Sequence, residues 1–132
     1  MNKNGDMFLG EVEGRFADII WENAPVSSTQ LVKLAEQKLQ WKRTTTHTVI
    51  RRLCEKGIFR KDEFGIVTTL ISKEELRARQ SNQFVDRVCG GSLPLFVSGF
   101  VRNRKLSDAD IEEIIAMLKE QQIRTLVSSA ST

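Results

Sequence analysis

Apolar residues in this chain recur three and four positions apart over most of its length and turn to a strand-like pattern only once. Val12, Phe16, Ile19 and Ile20 put one apolar face on a helix predicted over Glu11–Glu22. Asn23-Ala24-Pro25 ends it, because the residue before a proline avoids the helical region. A second helix opens at Ser27, where Ser27 and Gln30 form an S-x-x-Q capping box, and Leu31, Leu34, Ala35 and Leu39 make its stripe. A short link, Gln40-Trp41-Lys42-Arg43, leads to a third helix, Thr44–Lys56. Thr46, Val49, Ile50 and Leu53 are its inward positions, and Gly57 supplies a left-handed end. Ile58–Lys61 and Ile66–Leu70 then read as strands, with Asp62-Glu63-Phe64-Gly65 as the hairpin loop. Three helices followed by a hairpin is the order of a winged helix-turn-helix.

The second half returns to helical spacing. Ser72-Lys73-Glu74-Glu75 is an S-x-x-E capping box, opening a helix to about Cys89 that carries Leu76, Phe84, Val85 and Val88. Gly90-Gly91 breaks it, Leu93–Val101 reads as a short apolar helix, and Ser107-Asp108 starts a last helix to about Gln122. Residues 125–132 are serine-rich and expected to be a disordered tail. The predicted class is mainly α (α+β). A winged-helix DNA-binding domain is expected over residues 1–72 and a helical dimerisation domain over 73–124. The stripes Leu76/Phe84/Val88, Leu95/Phe96/Phe100 and Ile111/Ile115/Leu118 exceed what these short segments hide among themselves. A second copy of the chain is the expected cover, giving a symmetric homodimer.

Composition narrows the function. With 132 residues, 40% hydrophobic and 28% charged, the chain has a globular profile and room for one small domain with a helical appendage. No run approaches the roughly 18 apolar residues of a membrane helix, and Met1–Asp6 is polar, unlike a signal peptide. A cytoplasmic protein without membrane insertion is expected. Cys54 and Cys89 are too few for a disulfide scaffold and lack zinc spacing. His47 is the only histidine, so neither a metal site nor a catalytic relay can be built around it. The acids Asp108, Asp110, Glu112 and Glu113 suit a helix N-terminus. No nucleotide-binding loop and no nucleophile with a base is present. Neither an enzyme nor a cofactor is expected.

Charge points elsewhere. Between Lys38 and Lys61 eight basic residues stand against the single acid Glu55, a local charge of +7. The whole chain carries +3, which leaves −4 for the remainder. A compact basic patch on an otherwise acidic chain is the footprint of a polyanion site, provided it sits on a groove-reading element. The third helix is that element. Its start and first turns present Lys42, Arg43, Thr44, Thr45, Thr46, His47 and Thr48, with Arg51 and Arg52 further along and Arg60 and Lys61 on the first hairpin strand. An arginine grips guanine through two hydrogen bonds, and threonine offers a hydroxyl to phosphate and a methyl to thymine. Three consecutive β-branched residues at a helix start lower its propensity. That loss is accounted for if they contact DNA, or if one caps the helix and the others are bystanders.

The chain resembles the penicillinase-repressor family (BlaI and MecI type), with the copper repressor CopY as a relative. The resemblance runs from Leu9 to Leu118 and is most specific over Trp41–Gly57, where the family reads W-x-x-x-T-[VI]-x-T-[LVM]-[LI]-x-R-L-x-x-K-G. Thr46 stands at a usually aliphatic position. The resemblance implies a homodimer on inverted-repeat operators that blocks transcription of resistance genes. In the β-lactam branch it further implies a membrane sensor with a protease domain, and cleavage before the phenylalanine that aligns with Phe100, here at Gly99–Phe100. The family usually has asparagine where Gly99 stands. The copper branch, a metal-responsive repressor, carries a C-terminal cysteine cluster, and no cysteine follows Cys89. Family wings commonly carry tyrosine; Thr68 and Thr69 stand there instead. A winged helix used only for protein interaction is the other reading, and the +7 patch weighs against it.

Overall fold

The computed structural model describes residues 7–130. Along the chain these form α1 (Glu11–Asn23), β1 (Val26–Ser27), α2 (Ser28–Leu39), α3 (Arg43–Glu55), β2 (Phe59–Lys61), β3 (Ile66–Thr69), α4 (Lys73–Cys89), α5 (Leu93–Asn103) and α6 (Asp108–Ala130). The fold is mainly α with a small antiparallel sheet in the order β1-β3-β2, the winged-helix arrangement. The polar stretch Met1–Asp6 and the last two residues of the expected tail lie outside the described residues. No single helix among the described residues is long and apolar enough to cross a membrane.

Two compact units divide the chain, with the boundary between Arg87 and Val88. In the first, Phe16, Ala17 and Ile20 of α1 meet Leu31 and Ala35 of α2, Val49, Ile50 and Leu53 of α3, and Ile58, Phe59 and Val67 of the wing, all buried. Phe16 packs against Trp41 (centroids 5.0 Å) and Trp21 against Phe59 (5.3 Å), in tilted aromatic pairs. The Trp21 indole N–H donates to the Ile71 carbonyl at 3.1 Å, fixing the chain where the wing returns to α1. Val12, predicted to face inward, is 47% exposed: it lies a turn before the residues that reach the core.

The two predicted serine caps hold the starts of α2 and α4. Ser27 Oγ accepts from Gln30 N at 3.0 Å, and Ser72 Oγ from Glu75 N at 3.0 Å. β1 has no counterpart in the sequence reading. Val26 pairs with Val67 and Ser27 with Ile66, so the wing's inner strand is covered on both edges. The hairpin loop closes on Asp62, whose Oδ1 accepts from the N–H groups of Phe64 and Ile66, each at 2.9 Å. Gly65 takes φ +80°, a left-handed conformation that glycine adopts without steric penalty.

The first unit reaches further than the expected boundary at residue 72. Leu76, predicted on the dimer surface, is buried at 3% exposure in the first unit's core. Gln80 and Gln83 bond the backbone of Met7, and Lys73 pairs with Asp18 at 2.8 Å. The opening turns of α4 therefore belong to the winged-helix unit.

The second unit contains α5 and α6, and neither helix has a buried residue. Ser92 caps α5 and Ser107 caps α6, each accepting from the N–H three residues on. α6 continues past the predicted end at Gln122 to Ala130, which corrects the expectation of a disordered tail from residue 125. Ile123, Leu126 and Val127 are exposed there, and the Thr125 hydroxyl bonds its own helix at the Gln121 carbonyl, 3.0 Å away.

Candidate nucleic-acid interface

The basic side chains stand on the outside of α3 and on β2. Val49, Ile50 and Leu53 fix the buried face of α3, and Lys42, Arg43, Thr44, Thr45, Arg51 and Arg52 are thereby exposed on the other side. Lys42 is the N-cap and makes no side-chain cap hydrogen bond, and no acid occupies the first turn. The end N–H groups and the positive end of the helix dipole thus lie open beside two cations, an arrangement suited to a phosphate. Arg51 sits 3.7 Å from Glu55 and Arg52 4.0 Å from the half-buried Glu13, pairs too long to withhold either exposed guanidinium from a polyanion.

Thr46 does not belong to this surface. Its residue is fully buried and its hydroxyl donates to the Lys42 carbonyl at 3.2 Å, so the expectation that it contacts DNA is corrected. A β-branched residue of aliphatic shape fits the core here, with its hydroxyl satisfied inside the helix. Replacing it by valine removes donor and acceptor together, while the Lys42 carbonyl keeps its bond from the Thr46 N–H at 3.1 Å. Thr46→Val is expected to change stability by less than about 1 kcal/mol and DNA affinity not at all; chemical denaturation and a binding titration check both. Thr48 is half-buried, and its hydroxyl donates to the Thr44 carbonyl at 2.9 Å, leaving the oxygen able to accept.

Folding adds residues that the linear sequence does not single out. Thr29, Val32 and Lys33 of α2 line a shallow groove with Arg43 and His47 of α3. Lys33 extends the positive surface beyond the basic window, and α2 packed on α3 brings it there. Arg60 and Lys61 are exposed on β2. The Gly65 carbonyl accepts from Ser28 N at 2.8 Å, so the wing loop rests against the start of α2. The N-terminus of α2 therefore touches the wing loop at Ser28 and the α3 groove at Thr29.

Cys54 is not among the exposed side chains of this surface. Cys54 is half-buried in α3, and burial pushes its thiol above the usual range, an effect that the nearby Lys61 charge partly opposes. An inert packing residue results. No cluster of metal-ligating side chains occurs among the described residues.

Phe84, near the end of the first unit, is exposed, and on the second unit Val88, Leu95, Phe100, Ile111, Ile115 and Leu118 are exposed and Phe96 is half-buried. Phe96 and Phe100 meet edge to face at 5.0 Å, with the Arg104 guanidinium 5.8 Å from the Phe100 ring centroid. Gly99–Phe100 lies inside α5, with both residues helical.

A sequence model of the penicillinase repressor family matches residues 9–120. The chain belongs to the penicillinase-repressor family. The penicillinase repressor of Bacillus licheniformis is 24% identical over 119 residues, covering 88% of this chain and 93% of the relative. The methicillin resistance regulatory protein MecI of Staphylococcus aureus is 28% identical over 116 residues, 86% of this chain and 94% of MecI. The penicillinase repressor of Staphylococcus aureus is 22% identical over 120 residues, 89% and 95% respectively. This is a family of transcriptional repressors, not of enzymes, and the match takes in both units.

Proposed function

We propose that this penicillinase-repressor-family protein represses β-lactam resistance genes as a homodimer on inverted-repeat operator DNA. The observation that carries the reading is the outward face of α3. Exposed Arg43, Thr44, Thr45, Arg51 and Arg52 stand on a helix whose other side is locked into the core. Such a helix enters the major groove with its first turn against base edges. The relatives' names supply the target genes. Cytoplasmic residence follows from the same role.

Dimerisation through the second unit rests on its apolar exposure. A helical segment with no buried residue gains too little from its own packing to offset the entropy of ordering it. Pairing two copies across a two-fold axis covers both sets of side chains and spaces two recognition helices about one DNA turn, roughly 34–36 Å, apart. The test of the reading is a titration of the protein against its own gene's promoter at several salt concentrations. Log affinity is expected to fall linearly with log salt, the slope counting the phosphates neutralised. Absence of binding at low salt rejects the reading.

Induction by proteolysis at Gly99–Phe100, triggered by a membrane sensor-protease pathway, is part of the proposal. A protease takes its substrate extended, so α5 must open locally before the bond is reached. Glycine in a helix interior eases that opening by about 0.5–1 kcal/mol relative to alanine. A Cβ at residue 99 meets nothing within 4 Å, so Gly99→Ala introduces no clash. The substitution is expected to slow limited proteolysis at this bond by roughly two- to fivefold, measured from the appearance of the fragment ending at residue 99. An unchanged rate means that helix opening does not limit the cut.

A further inference from the structure

We propose that the basic run Arg102, Arg104 and Lys105 of one copy docks on the acidic opening turns of α6 of a second copy, and that this reciprocal match selects the chain's own kind as dimer partner. The inference rests on the homodimer reading above and names the residues that choose the partner. Three cations lie at the end of α5 and in its link to α6, and four acids, Asp108, Asp110, Glu112 and Glu113, follow them. All seven are exposed, and among the described residues none of them is in an ion pair within the chain. Helix geometry leaves the acids unrelieved. Asp108 and Glu112 are four residues apart and Asp110 and Glu113 three, so like charges are neighbours, and no lysine or arginine stands three or four residues after any of them. The helix dipole accounts for Asp108 and Asp110 in the first turn, but its field fades within that turn and leaves Glu112 and Glu113 unexplained. The charge that balances these acids does not come from their own helix turns.

The apolar positions decide where it comes from. Phe100 and Val101 stand just before the basic run, and Ile111, Ile114 and Ile115 stand among and after the acids, all exposed. A rotation of about 100° per residue puts Asp110 and Glu112 on either flank of Ile111. A partner that covers Phe100 on α5 and Ile111 on α6 must close over the charges between and beside them. Closing over them without opposite charges carries a desolvation cost that apolar contact does not offset. The partner must therefore offer acids to Arg102, Arg104 and Lys105, and cations to Asp110, Glu112 and Glu113. A second copy carries both sets at this spacing. In a two-fold interface a contact from one run to the other occurs twice, so a single match serves both chains. A related repressor with a different charge pattern at these positions meets like charges and is refused.

The test uses the full chain. Arg102→Glu/Arg104→Glu/Lys105→Glu makes both runs acidic, and Asp110→Lys/Glu112→Lys/Glu113→Lys makes both basic. In analytical ultracentrifugation each variant alone is expected to raise the dimer dissociation constant by roughly tenfold or more, and an equimolar mixture to return to within about threefold of wild type. Native mass spectrometry of the mixture should show one chain of each kind per dimer. Recovery in the mixture also shows that neither variant had merely failed to fold. The milder Arg102→Gln/Arg104→Gln is expected to weaken the dimer by roughly two- to fivefold and to flatten its salt dependence. A mixture that stays monomeric overturns the proposal, and if a chain carrying all six reversals then dimerises, the charges pair within one chain. Variants that dimerise like wild type also overturn it, and a loss of promoter affinity in that case assigns the cations to DNA. Either result leaves the homodimer reading standing. A wild-type chain that is itself monomeric removes that reading and this inference with it.

Discussion

Ending the chain at Ser98 is expected to convert a tight operator binder into a weak monomeric one. The shortened chain lacks Gly99 onward, and with it the exposed apolar positions Phe100, Ile111, Ile115 and Leu118. Among the described residues every buried hydrophobic side chain lies between Met7 and Leu76, so the shortened chain keeps the winged-helix core. Its helical signal and unfolding transition should survive, which separates loss of assembly from loss of fold. A monomer must bind each half-site alone, whereas linked half-sites gain about 10²–10⁴ in effective affinity. Analytical ultracentrifugation should show the single-chain mass, and anisotropy titration should show at least a hundredfold weaker binding to the promoter. A shortened chain that stays a tight dimer with full affinity would remove both the proposed interface and the proposed mode of induction. Because the proposed cut at Gly99–Phe100 falls one residue further on, the same measurement states what proteolysis would accomplish.

How much of this was legible beforehand follows from the range of each interaction. The serine caps at Ser27 and Ser72 act within three residues, and the sequence placed both helix starts where they occur. β1 escaped because two residues carry no alternation; Val26 and Ser27 are a strand only through pairing with Val67 and Ile66. Leu76 shows the limit of periodicity, which reveals that a face is covered but not by what. Its turn of α4 is covered within the first unit, where the Lys73–Asp18 pair and the bonds of Gln80 and Gln83 to Met7 hold it. The serines and threonine after Arg124 read as a tail, yet α6 runs on to Ala130.

The interface was readable as a helix and only partly as residues. The basic window marked α3, and the buried triplet Val49, Ile50 and Leu53 determines which side faces out. Within the threonine run, composition cannot tell Thr45 from Thr46, although one is exposed and the other has no exposure at all. One residue turns a helix by about 100°, which takes Thr46 onto the stripe with Val49, Ile50 and Leu53. Lys33 and Thr29 became visible only when α2 was laid against α3, because their nearness to Arg43 and His47 is a tertiary fact.

Arg43 is the position where a single substitution should cost the most in recognition. It opens α3, is exposed, and lines the groove with His47 and Lys33. A recognition helix approaches base edges through its first turn, so on the proposed reading Arg43 would take guanine O6 and N7 together, while Arg51 and Arg52, two turns on, would reach backbone. Arg43→Ala is expected to lose about 1–3 kcal/mol on the promoter site and much less on random DNA, relaxing preference at one base pair in each half-site. Arg51→Ala and Arg52→Ala are expected to weaken every sequence alike and to flatten the salt dependence by about one unit of slope each. Both arginines are exposed and make only long ion pairs, so their removal is expected to leave the fold intact and affinity differences to report DNA contact. Parallel titrations of the three variants on promoter and scrambled duplexes, at two salt concentrations, separate the roles. Equal losses on both duplexes for Arg43→Ala would make it a phosphate contact and would shift base readout to Thr44, Thr45 and His47, the remaining accessible or half-accessible side chains of the first turns.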